Sequence, residues 1–266
     1  MSSYLIVLVV LLAGLALLWL GGWSSRRGGA RLVRNAEVDL RLLYQPLAAG
    51  VAVLTVLAAA LLSDDPWAYL QPGNLAAPVT GLGWLGVSTS DTWLTIGLTM
   101  GAIITAVTTV VVVLQARSSG RLRLRAVPLA LALSLPFSLV NAATEEAIFR
   151  LAPVTALSGI ASMTTIAILS AALFGLPHYF GHPGKVPGVI LAAFLGWIAC
   201  LSMLQTQGWL WAVAVHFVQD VVILTVLFAV AAGKRNAAPA GADGGQPAGA
   251  NGGEPAVSGT PAAPTP

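Results

Sequence analysis

Charge is what this sequence has least of. Only 9% of its 266 residues are Asp, Glu, Lys or Arg, where a water-soluble domain carries about 25%. So few charges cannot solvate a globular surface, and lipid must cover much of the exterior. Cysteine is nearly absent too. Cys200 stands alone, which excludes a disulfide framework or a cysteine-based metal site within one chain. No basic stretch is interleaved with aromatics, so the net charge of +3 reflects membrane orientation and not a nucleic-acid partner.

What the chain does have is hydrophobicity: 57% of its residues, with a mean hydropathy of +0.84. Seven apolar runs, near 4–22, 42–62, 93–115, 126–150, 155–178, 187–204 and 209–232, are each long enough to cross, since about 20 helical residues span the hydrocarbon. The expected fold is all-α, a polytopic transmembrane bundle of about seven spans. The first run has no Lys or Arg before it and no small-residue cleavage site after it, so it reads as a retained span.

The loops alternate in charge. Arg26, Arg27, Arg31, Arg34 and Arg41 follow the first run, and Asp64, Asp65 and Asp91 without any basic residue follow the second. Arg117, Arg121, Arg123 and Arg125 follow the third, Lys185 precedes the sixth, and Lys234 and Arg235 follow the last. Seven spans with the N-terminus outside place every basic cluster in the cytoplasm. Four regions result: two N-terminal spans with a basic cytoplasmic loop (1–62), an extracytoplasmic loop (63–92), a membrane core (93–232), and an Ala/Gly/Pro-rich tail (233–266) expected to be disordered. Trp67, Trp84 and Trp93, with Trp209 and Trp211, suit an interfacial aromatic belt. Eleven Arg against two Lys, with abundant Ala, point to a GC-rich bacterial genome and so to a multi-pass protein of the bacterial plasma membrane.

Ionisable residues inside spans are expensive and mark function by default. Here they gather in the second half: Glu145, Glu146, Arg150, His178, His216 and Asp220. Glu146 and Arg150 are four apart, as are Phe174 and His178, and His216 and Asp220, so each pair shares a helix face. Three helices could bring these groups to one pocket. With a turn at Ser158 and Gly159, Glu145 and His178 differ in depth by about two helical turns or less at about 1.5 Å per residue. The bland readings are helix-end glutamates, an interfacial His178, a solvated His182, and Phe149 and Phe174 as packing.

Glu145-Glu146-Ala147-Ile148-Phe149-Arg150 resembles the EExxxR motif of the CAAX protease and bacteriocin-processing family. Phe174 to His178 matches its FxxxH motif, and His216 to Asp220 its third motif, a histidine followed four residues later by Asn or Asp. The likeness extends over roughly residues 80–232. It implies a membrane-embedded endopeptidase acting on a peptide or lipidated-protein substrate, with membrane lipid as its surroundings and no nucleic acid. Glu145 would be the general base, helped by His178, while His216 and residue 220 stabilise the oxyanion. Some members are regarded as zinc enzymes, which would make Glu146, His178 and His216 metal ligands; otherwise catalysis is metal-independent. Asp220 sits uneasily in an oxyanion role, because an ionised Asp only accepts hydrogen bonds. It would have to be protonated, orient His216, or serve a cation. Two other classes stay open: a non-catalytic immunity-type or scaffold protein, and a proton-coupled transporter. A transporter commonly shows paired broken helices in related halves, and none is visible.

Overall fold

The computed structural model describes residues 36–61, 63–118, 122–180 and 184–235. The expected first span, the arginines at 26–34 and the tail from 236 lie outside these residues. Within them the chain is helical, with one isolated bridge between Pro78 and Thr92. The helices are α1 (Ala36–Ala60), α2 (Trp93–Ser118), α3 (Val127–Glu146), α4 (Ala152–Leu157), α5 (Met163–Gly175), α6 (Lys185–Thr206) and α7 (Leu210–Arg235). They make six segments long and apolar enough to cross a membrane, matching the second to seventh expected spans.

The fourth span is longer than expected. α3 runs through a π turn, Ala147–Leu151, straight into α4, so one helical segment reaches from Leu124 to Leu157. Pro153 explains the local geometry. It has no N–H to give the carbonyl four residues back, which is that of Phe149. Ser170 Oγ of α5 donates to that carbonyl instead, at 2.9 Å, and the Ala152 N–H reaches back five residues to Ala147. Such π turns recur at functional sites, and this one begins directly after the paired glutamates.

The turn that follows extends from Ser158, through Gly159 in the left-handed region at φ +81°, to Ser162. The Ser162 side chain caps α5 by accepting the Thr165 N–H at 3.1 Å. The fifth span therefore starts at Met163 and not near 155, because 155–157 complete the span before it. This later start reduces the depth mismatch between Glu145 and His178 to about one helical turn. Past Gly175 the helix tightens to 3-10 geometry over Leu176–Phe180, where Pro177 cannot donate a helical hydrogen bond.

Small residues bring the spans together, as close packing in lipid requires. A Cβ on Gly175 would lie 2.6 Å from that of Ala193 on α6, so α5 and α6 meet nearly backbone to backbone. α2 presents Gly97 to the Trp211 indole and Gly101 to Val215 of α7. Trp93 and Trp211 are accordingly buried, with ring centroids 5.7 Å apart, and are core residues and not interfacial anchors; Trp67 and Trp84 remain exposed. Arg41, counted above with the first basic loop, lies inside α1, which begins at Ala36.

The loop between α1 and α2 is fastened to the α6–α7 turn. Gln205 Oε1 accepts from the Thr80 N–H at 2.9 Å and from Trp93 Nε1 at 3.0 Å, while its Nε2 donates to the Thr80 carbonyl at 3.0 Å. The Asn74 N–H reaches the Thr206 carbonyl at 2.8 Å and the Trp209 N–H reaches that of Gln71 at 3.1 Å.

Candidate active site

All six ionisable residues singled out in the sequence converge where α3, the π turn, α5, α6 and α7 meet. Glu146 and Arg150 are fully buried, and their side chains stand 3.2 Å apart across the π turn. Glu146 Oε1 also accepts from His216 Nδ1 of α7 at 2.7 Å. Glu145 projects differently. Its side chain keeps 17% exposure and its Oε2 lies 3.5 Å from the other nitrogen of the same ring, His216 Nε2. Asp220, one turn on from His216, approaches that nitrogen to 3.7 Å. One imidazole is thus held between three carboxyl groups drawn from two helices.

His178 reaches the cluster through an aromatic contact. Its Nδ1 lies 2.7 Å from the Phe174 carbonyl. Since a carbonyl only accepts, Nδ1 carries the hydrogen, and Nε2 of the neutral ring offers a lone pair. The Phe174 ring stands 4.6 Å from the His178 ring and 5.3 Å from that of His216. Its face receives the Arg150 guanidinium at 3.7 Å, a cation–π contact favoured in a desolvated setting. Phe174 is packing, as expected, and it also organises both histidines and the arginine. Gly196 of α6 leaves the space that the guanidinium occupies: a Cβ there would fall 3.3 Å from Arg150 Nη2.

A small open-sided cleft, with a cavity volume of about 40 Å3, adjoins His178, His216 and Asp220. Its remaining wall comes from α2, α5, α6 and α7 and is mostly apolar, with Ile104, Phe174, Leu191, Leu195 and Ile223. Gln219 Nε2 ties α7 to Thr105 of α2 at 2.7 Å beside it.

Two residues of this cluster were not foreseen. Asn141, one turn before Glu145, donates to Glu145 Oε1 at 3.0 Å and to Asp220 Oδ2 at 2.9 Å. Arg41 of α1 in turn donates to the Asn141 side-chain oxygen at 3.2 Å. Asn141 stands in the same four-residue spacing that marked the other pairs, so the signal was available; being uncharged, it drew no notice.

The trio Glu146, His178 and His216 does not fit a single metal coordination sphere. Glu146 Oε1 already faces a guanidinium and accepts from His216 Nδ1, and among the described residues no three His, Cys, Asp or Glu side chains are gathered as ligands for one ion.

Residues 127–222 match the family model described as Type II CAAX prenyl endopeptidase Rce1-like. All three motifs fall inside that segment, in agreement with the resemblance they suggested. Comparison with curated proteins and with solved structures gives no match.

Proposed function

We propose, on the premise that residues 127–222 belong to the Rce1-like family, that this integral membrane protein is an endopeptidase in which Glu145 activates water within the bundle. The observation that carries this reading is the unequal placement of two adjacent acids. Glu146 is fully buried and committed to Arg150 and His216, whereas Glu145 stays partly open beside His216 Nε2. Two carboxyls in different surroundings are suited to different roles.

Peptide hydrolysis needs an activated water, a donor for the oxyanion and a proton for the leaving amine. Glu145 Oε2 takes a proton from the water as its oxygen attacks the peptide carbonyl carbon. The lone pair on His178 Nε2 accepts that water's second hydrogen and aims it. In its imidazolium form His216 donates Nδ1–H to Glu146 and Nε2–H into the site, where it meets the developing oxyanion. The proton on Glu145 then passes to the leaving nitrogen as the C–N bond breaks. Asp220 only accepts, so its proximity to His216 supports the orienting role over a direct oxyanion contact. Arg150 and Phe174 keep Glu146 and both rings in place. No step needs a metal ion.

The apolar wall of the cleft suits a membrane-associated peptide or lipidated-protein segment, and the prenyl endopeptidase description of the family makes a prenylated peptide the first to try. The test uses the full chain in lipid nanodiscs with internally quenched peptides, prenylated and unprenylated. Cleavage should disappear in Glu145→Gln and persist within twofold when a zinc chelator is added. Undiminished cleavage by Glu145→Gln overturns the reading. Loss on chelation that zinc restores would replace it with a metalloprotease.

A further inference from the structure

A carboxamide has two N–H donors and one acceptor oxygen. Asn141 uses them all: one hydrogen for Glu145 Oε1, one for Asp220 Oδ2, and its oxygen for Arg41. The residue is buried, so water does not stand in readily for any partner. Few side chains can bridge two carboxylates and a guanidinium in this way. Asp would bring a fourth acid and no donor; Ser would bring one donor; Ala would bring none.

We infer that Asn141, backed by Arg41, is a positioning pair for the hydrolytic reaction. Held at Oε1, Glu145 is left with Oε2 turned towards His216 Nε2 at 3.5 Å, and Asp220 is fixed by its Oδ2 at 3.7 Å from the same nitrogen. Without the amide, two acids from α3 and α7 would converge on one imidazole with no donor between them, and the Glu145 carboxyl would be free to rotate out of reach of the water. Asp220 cannot supply a donor on α7, so Asn141 supplies it from α3. Arg41 steadies the amide from behind and adds positive charge to a site holding three acids. It does so from α1, outside the family-matched segment 127–222, so an accessory helix completes the site.

This inference rests on Glu145 being the water-activating base, and the experiment separates the two claims. With full-length protein in nanodiscs and the peptides above, Asn141→Ala should lower kcat about tenfold or more with KM within about twofold, as expected for a misplaced catalytic group. Arg41→Gln should fall in the same direction by less, Arg41→Lys should retain most activity, and the double variant should be no worse than Asn141→Ala, because Arg41 acts through the amide. A readout independent of substrate accompanies these: modification of Glu145 by a hydrophobic carbodiimide, followed by peptide mass spectrometry, should rise at least threefold in Asn141→Ala as Oε1 loses its partner. An inactive Glu145→Gln beside an Asn141→Ala whose kcat and labelling both match wild type overturns the positioning role alone. Wild-type cleavage by Glu145→Gln overturns the water-activation reading, and the positioning role with it.

Discussion

Where the α1–α2 loop closes over the α6–α7 turn, Gln205 joins Thr80 and Trp93 with three hydrogen bonds, Trp93 packs on Trp211, and Trp84 on Trp197. These groups are neutral, and the Gln205 amide, the Thr80 backbone and the Trp93 indole are matched to one another. In the charged cluster, by contrast, Arg150 Nε and Nη2 and Glu146 Oε2 are buried without a hydrogen-bond partner among the described residues, and carboxyl groups crowd one imidazole. A sequence selected for stability alone would not bury these groups, since replacing a buried ion pair with apolar residues is often neutral or stabilising. The two regions share the same helices α2, α6 and α7, so the difference lies in purpose. The neutral clasp holds the helices in register, and the charged cluster holds the groups that the proposed chemistry would use.

The sharpest way to break this comparison is within the glutamate pair. Glu146→Gln leaves Arg150 buried without its counter-ion, and losing one member of such a pair costs on the order of 3–5 kcal/mol. Thermal unfolding in detergent should fall markedly, together with activity. Glu145→Gln should instead leave the unfolding midpoint near wild type and lower kcat by a factor of about 10² or more. Equal stability loss in both variants would erase the division of labour between the two acids.

The placement of these groups was legible in part. The spacing of Glu146 to Arg150 and of His216 to Asp220 put each pair on one face, and both pairs lie where that spacing predicts. The order of the motifs pointed to the family, and apolar run lengths gave six spans that the structure shows. Depth was the weak link. A run of apolar residues records length but not where a turn falls, so 155–157 were given to the wrong span, and Arg41 was read as a loop charge when it belongs to α1. The π turn was hidden because it depends on Ser170, from another helix, satisfying the carbonyl that Pro153 leaves unpaired. Trp93 and Trp211 were misplaced for a similar reason: tryptophan near a span end suits an interface, and only the packing of α2 on α7 buries it.

The neutral clasp can be tested by Gln205→Ala. Trp93 is fully buried, so its Nε1–H would lose its partner with little access to water, at a cost of about 1–3 kcal/mol; the exposed Thr80 would simply be hydrated. Stability should drop by that amount while kcat for the folded fraction stays within about twofold. A tenfold loss of kcat at unchanged stability would mean that the clasp contributes to the reaction, and the contrast between the two regions would fail.

The smallest effect expected lies on the α3–α7 seam next to the site. Ser134 is buried. Its hydroxyl hydrogen goes to the Leu131 carbonyl at 2.8 Å, so at 3.0 Å it accepts from Thr225 of α7. Ser134→Ala removes this link and leaves Thr225 to find a backbone carbonyl of its own. Interhelical hydrogen bonds in membranes average only about 0.6 kcal/mol, since the separated helices also find partners, and alanine preserves the close approach of the two backbones. The variant should therefore lose about that much stability and keep the cleavage rate, with Glu145, Asn141 and Asp220 undisturbed. A kcat reduced fivefold or more would show that the register of α3 against α7 is set by Ser134 as well as by Asn141, and that the seam belongs with the charged cluster and not with the neutral supports.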